Sequence, residues 1–99
     1  MFDNLMSQMQ EQAKEIKKKL DNAVVEGEAE GGLVKVKANG NKKILSIEIS
    51  DDIAEDKEAI EDLVIVAVNK ALEQADEVAS KETGDLAQGM LPDLGNLFG

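Results

Sequence analysis

An α+β domain is the fold class the sequence predicts: an N-terminal helix, a three-stranded antiparallel meander and a long second helix, in a chain that needs a second copy to finish its burial. Three observations predict it. Side chains between Val24 and Ile49 alternate with a period of two, whereas the segments on either side carry apolar residues at helical spacing. A chain of 99 residues is one domain by length, and such a chain buries only roughly 60 to 65% of its unfolded surface when it folds alone. Its only aromatic residues are Phe2 and Phe98, so the side chains that bury the most area are nearly absent and the core is thin.

Residues 3–22 form the first predicted helix, because Phe2, Met6, Met9, Ala13, Ile16, Leu20 and Ala23 recur at spacings of 4, 3, 4, 3, 4 and 3. That is a heptad seam. Asp3 or Asn4 is placed to cap its start, and Glu15 with Lys19 makes a favourable i, i+4 pair. Lys14, Lys17, Lys18 and Lys19 crowd its last turns, where the helix dipole favours cations.

The meander is predicted from its turns and its register together. Gly31-Gly32 and Asn39-Gly40-Asn41 supply the positive φ values that tight hairpins require. With Gly31-Gly32 as a two-residue loop, Val25, Gly27 and Ala29 oppose Ala38, Val36 and Val34, while Glu26 and Glu28 oppose Lys37 and Lys35. Small meets large on one face and acid meets base on the other. Leu45, Ile47 and Ile49 continue the apolar face, Ser46 and Glu48 the polar one. A sheet with one dry face needs a cover.

The cover is the second predicted helix, residues 57–82, with Ile60, Leu63, Val64, Ala67, Val68, Ala71, Leu72, Ala75, Val78 and Ala79 at helical spacing and Asp56 as its N-cap. Its middle, LVIVAV, is apolar all round, which implies burial by the sheet and by a second subunit. The seam residues Met6, Met9, Ala13, Ile16 and Leu20, with Val64, Ala67, Val68 and Ala71, are therefore the expected dimer interface. From Thr83 onward four glycines, Pro92 and aperiodic leucines read as a tail, giving a folded unit over 1–82 and a tail over 83–99.

Composition excludes most chemistry. The chain has no His, Cys, Arg, Trp or Tyr, which removes nucleophile-histidine pairs, thiolate chemistry, arginine clamps and the usual zinc sites. Gly31-Gly32 lacks the GK[ST] ending of a phosphate loop and leads into a strand. The acidic run Asp51, Asp52, Glu55, Asp56, Glu58, Glu61 and Asp62 fails the calcium-loop pattern, since Ile53 sits where an acid is needed and no glycine follows. It reads as a helix N-terminus and a solvated face. No enzyme, cofactor, metal or small-molecule substrate is expected. The N-terminus has neither a basic nor an apolar signal region, and the longest apolar run, Leu63 to Val68, is too short to span a bilayer. A cytoplasmic protein without a membrane partner is expected.

The net charge is −10, yet it is unevenly spread. Residues 14–43 hold eight lysines against five acids, whereas residues 44–99 hold three lysines against fourteen acids. Screening limits electrostatic reach to about 8 Å at physiological salt, so a cationic patch acts despite a distant acidic half. Lys35 and Lys37 are committed to Glu28 and Glu26 across the strands. Lys42 and Lys43, at a hairpin tip with no acid nearby in sequence, are freer. The cluster at Lys14, Lys17, Lys18 and Lys19 reads either as a solvated helix face or, doubled in a dimer, as a phosphate tracker.

The order of helix, EGEAEGGLVKVKANGNKKILSIEI meander and DKEAIEDLVIVAVNKALEQA helix resembles the YbaB/EbfC family of bacterial nucleoid-associated proteins. The likeness runs from residue 1 to about 80 and rests on Gly31-Gly32-Leu33-Val34-Lys35-Val36, Asn39-Gly40, Ile47-Glu48-Ile49 and the block from Glu61-Asp62-Leu63 to Asn69-Lys70-Ala71. The resemblance implies a homodimer with meanders joined into one β layer and helices projecting as tweezer arms. It also implies nucleoid localisation, binding of double-stranded DNA with little sequence preference, and no catalysis. Lysine without arginine removes the bidentate guanine contact, and no Tyr or Trp is present for base stacking. Lysine-to-phosphate contact from Lys14, Lys17, Lys18 and Lys19, with Lys42 and Lys43 secondary, is the expected mode. The alternative is an acidic interaction module that docks a basic protein of the recombination or replication machinery through Glu73, Asp76 and Glu77.

Overall fold

A computed structural model describes residues 2–90 as helix α1 (Phe2–Asn22), strands β1 (Val24–Ala29), β2 (Val34–Asn39) and β3 (Ile44–Ile49), and helix α2 (Lys57–Met90). Short 3-10 turns at Glu30–Gly32 and Asp51–Ile53 complete the order. The three strands form one antiparallel sheet in the order β1-β2-β3. Predicted and observed elements agree in kind and sequence.

The β1–β2 register is the one that matched small to large and acid to base: Gly27 faces Val36, Ala29 faces Val34, Glu26 faces Lys37 and Glu28 faces Lys35. Its turn is longer than expected. Pairing stops at Ala29 and Val34, and the Leu33 amide donates to the Ala29 carbonyl at 3.1 Å. Glu30, Gly31 and Gly32 all take positive φ, at 49°, 66° and 94°. Three successive left-handed residues need more chain than a two-residue loop supplies, yet the pairing beyond them is unchanged.

Between β2 and β3 the ladder slips once, so that Lys37 pairs with Ser46 but Ala38 pairs with Ile44, which leaves Leu45 without a partner on β2. This bulge breaks the alternation that placed Leu45 in line with Ile47 and Ile49. The second turn also differs in mechanism. Lys42, not Gly40, takes the left-handed conformation, at φ 66°.

Helix α2 packs on β1 and β2 through a face of small residues, Ala67, Ala71 and Ala75, each fully buried. Its seat is Gly27: a Cβ there would overlap the Ala67 carbonyl oxygen and the Ala71 amide nitrogen. Ala29, Val34, Val36 and Ala38 complete the buried cluster, flanked by Val25, Ile53, Leu63, Val64 and Val68. The Asp56 side chain accepts from the Ala59 amide at 3.1 Å, as expected of the N-cap.

A single helix about 10 Å across covers two strands spaced about 4.8 Å apart and no more. β3 is left bare. Ile47 and Ile49 keep 46% and 41% of their surface exposed although they flank the fully buried Val36 and Val34.

Two further boundaries depart from expectation. α1 begins at Phe2, so Asp3 and Asn4 lie within its first turn instead of preceding it. α2 continues through Thr83 and Gly84 to Met90, where a tail was expected. One glycine costs a helix about 1 kcal/mol and does not end it. Residues 91–99 of the expected tail lie outside the described residues.

Replacing Gly27 by Ala is expected to destabilise the protein by roughly 1–3 kcal/mol, since the added methyl meets backbone that cannot swing aside. Gly31→Ala, in open space but at φ 66°, should cost about 1 kcal/mol from backbone strain alone. Urea unfolding midpoints check both, and a Gly27→Ala protein as stable as wild type would contradict the close seat of α2.

Candidate nucleic-acid interface

The lysine-rich helix contacts both β2 and α2, and its buried side chain lies at its C-terminal end. Leu20 is the buried residue of α1, at 8% exposure, and it lies over Gly40 at the start of the β2–β3 turn. A Cβ on Gly40 would sit 2.8 Å from Leu20 Cδ2 and 3.1 Å from the Leu20 carbonyl oxygen. Gly40 is thus required by close approach of a helix, not by the positive φ that its place in a turn suggested.

Backbone and side-chain hydrogen bonds reinforce this seat. The Gly40 amide donates to the carbonyls of Leu20 at 2.8 Å and Ala23 at 3.0 Å. Asn41 donates from Nδ2 to the Lys17 carbonyl at 3.1 Å and to Asp21 Oδ1 at 2.5 Å. The Gly40 amide thereby serves the Leu20 carbonyl, one of the last four of α1, which have no i+4 partner within the helix. The turn itself is held by buried Asn39, whose Oδ1 accepts from the amides of Asn41 at 2.9 Å and Lys43 at 3.1 Å.

Lys14, Lys17, Lys18 and Lys19 are all exposed. At about 100° per residue, Lys14 and Lys18 point away from the apolar seam, while Lys17 and Lys19 flank it on opposite sides. The four ammonium groups therefore wrap the polar circumference of the helix. Among the described residues one ion pair closes, Lys42 Nζ to Asp76 Oδ1 at 2.6 Å, and it involves none of them.

That pair corrects one expectation. Lys42 was expected to be free because no acid lies near it in sequence, but the path of α2 brings Asp76 across the turn. Both partners keep more than half their surface exposed, which limits the pair to about 0–1 kcal/mol. Lys43 is exposed, and only its backbone is engaged. Lys35 and Lys37 stand opposite Glu28 and Glu26 in register, yet no ion pair closes there, nor between Glu15 and Lys19.

The expected dimer residues divide into two groups. Met6 and Met9 are more than half exposed, Ala13 is exposed and Ile16 is half-buried. By contrast Leu20, Ala67 and Ala71 are buried within the protomer, and Val64 and Val68 pack against its core. Helical spacing marks a residue as inward-facing without saying which body covers it; here the chain's own sheet does. The large apolar residues that are exposed but stand outside that expected interface include Leu5, Val24, the β3 residues Ile44, Leu45, Ile47 and Ile49, and on α2 Ile65 and Val66. The signal for the last two was the all-round apolar LVIVAV run, which one sheet cannot cover.

Asp76, named with Glu73 and Glu77 as an acidic docking face, is engaged by Lys42. Along the acidic run no three carboxylates converge on a metal position among the described residues. No described helix is long and apolar enough to cross a membrane.

Residues 2–90 match the model of the YbaB/EbfC DNA-binding family. A nucleoid-associated protein of Chlorobaculum parvum is 41% identical over 103 aligned positions, spanning 99% of this chain and 93% of that protein. One from Neisseria meningitidis serogroup C is 41% identical over 95, spanning 92% and 86%. The crystal structure of the uncharacterized protein HP0035 from Helicobacter pylori superposes with a TM-score of 0.74 at 26% identity, covering 91% of this chain and 92% of that one.

Substituting Asn39 by Ala should cost about 1–2 kcal/mol, because two amides of the turn lose their acceptor. Hydrogen exchange checks the cause. The amides of Asn41 and Lys43 are expected to exchange faster in the variant, while those of the Gly31 turn stay unchanged.

Proposed function

The chain belongs to the YbaB/EbfC DNA-binding family, and from that premise we propose that it binds duplex DNA as a homodimer through lysine-phosphate contacts with little sequence preference, in the bacterial nucleoid. One observation carries the mode: four lysines stand on the exposed part of α1 with no carboxylate partner among the described residues. Ammonium groups act as point charges and read no base, so the binding follows the backbone.

Dimerisation is supported by what the protomer leaves uncovered. β3 is an edge strand with unpaired backbone groups, and Ile44, Leu45, Ile47 and Ile49 on it are between 37% and 47% exposed. An edge that is both open and apolar invites association, and a second copy of the same strand is its simplest complement. Ile65 at 60% and Val66 at 41% exposure enlarge the apolar surface, and Met6 and Met9 add to it on α1. Joining two protomers this way doubles the lysine cluster.

Four lysines in each of two copies allow a log affinity against log salt slope as steep as about −7 on random duplex. Gel-shift titrations over a salt series are expected to show a steep negative slope for the wild type and a loss of binding for Lys17/Lys18/Lys19→Glu. Equal binding by the two proteins would remove the proposed site. Ile47→Lys should lower the mass in light scattering from dimer to monomer at micromolar concentration, and a monomeric wild type would remove the dimer.

A further inference from the structure

We infer that the β2–β3 turn is the joint that sets the direction of the lysine-bearing helix relative to α2, with Asn41 and Lys42 as its positioning residues; the inference rests on the DNA-binding reading only for its functional consequence. Among the described side chains of α1 Leu20 is the one that is buried, and from Asn4 to Lys19 only Gln12 and Ile16 are even partly covered. A helix so little packed is held by its end. At that end three consecutive residues of one turn grip two different helices.

Gly40 bonds the Leu20 carbonyl of α1 and the Ala23 carbonyl just after it, and Asn41 bonds the Lys17 carbonyl and the Asp21 carboxylate of α1. Lys42 pairs with Asp76 of α2 at 2.6 Å. The turn in between is stiff. Lys42 sits at φ 66°, a conformation that a lysine rarely adopts, and buried Asn39 holds the residues on either side of it. Beyond the direct contact of the two helices, displacing α1 relative to α2 therefore means breaking the Asn41 bonds, breaking the Lys42 pair or deforming a turn that Asn39 holds.

This assigns Lys42 a different task from Lys14, Lys17, Lys18 and Lys19. Its charge is spent on a protein carboxylate, and it affects DNA through where α1 points. Lys17 is tied in most directly, since its own carbonyl receives the Asn41 amide. The link joins the turn to the middle of the lysine cluster.

The chain has no cysteine, so two can be introduced at exposed positions, Gln10 on α1 and Ser80 on α2, and spin-labelled without background. Labelled protein diluted with unlabelled protein gives the intrachain distance distribution in the full chain without DNA. A single narrow distribution is expected for the parent, and a broadened or displaced one for Asn41→Ala and for Lys42→Asp. Aspartate tolerates the left-handed conformation at that position. Lys42→Asp combined with Asp76→Lys rebuilds the pair with reversed ends and should restore the parent distribution.

Affinity for random duplex is expected to fall roughly two- to fivefold in Lys42→Asp, the range an exposed ion pair supports, and to recover in the charge-swapped protein. Unchanged distances in both single variants would overturn the inference, and altered distances with unaltered affinity would overturn its functional consequence. An affinity that stays low in the swapped protein while its distances recover would return Lys42 to the phosphate contacts. If even the parent fails to bind duplex, the DNA-binding reading falls, while the distances still decide whether the turn is the joint.

Discussion

The missing side chain at Gly27 governs the layout of the protomer. Because no Cβ stands there, the backbone of α2 descends onto β1 between Ala67 and Ala71. Close descent buries Val34, Val36 and Ala38 completely, but it also commits the only covering helix to one side of a three-stranded sheet. β3 then has an open edge and an apolar face that water still reaches. A core of alanines and valines is thin, and burying the isoleucines of β3 would add roughly 1 kcal/mol apiece for about half a side chain each. The same close contact that stabilises one copy leaves the surface that a second copy would cover.

α1 obeys a different logic. It contributes little area to the core and is fastened at its C-terminal end by hydrogen bonds from a turn. Such an attachment leaves the polar circumference of the helix in water, where lysines keep their charge and their reach. It also makes the orientation of the helix depend on a few polar contacts, whose individual strengths are small and sensitive to salt.

Much of the fold was legible in the sequence because two independent codes agreed on one register. Glu26 and Glu28 opposite Lys37 and Lys35 fixed the pairing by charge, and Gly27 opposite Val36 fixed it by size. What pairing rules do not encode is which object lies above the sheet. Gly27 and the Ala67, Ala71, Ala75 series were visible separately, but nothing local links a glycine in a strand to alanines forty residues later. Hence Ala67 and Ala71 were assigned to a partner copy although the chain's own sheet takes them. Gly40 was misread for a related reason: a glycine in a turn has two explanations, conformation and contact, and only the position of Leu20 separates them. The exposure of the candidate lysines was legible where it is local, as with four lysines in six residues, and the engagement of Lys42 by Asp76 was illegible because it is tertiary.

Charge segregation explains how a chain of net charge −10 can serve a polyanion at all. Glu73 and Glu77 of α2 are exposed and unpaired among the described residues, so a duplex lying along that helix would meet like charge. Cationic groups that clear the acidic half by about a screening length lose little of their attraction. On the proposed reading contact would be confined to α1, and few phosphates would be engaged at once. Binding of that kind is weak per protomer and indifferent to base sequence, because ammonium groups on a solvated helix offer neither bidentate recognition nor stacking. On that reading useful affinity would depend on doubling the cluster. The exposed isoleucines of β3 would then be as consequential for the nucleic acid as the lysines themselves.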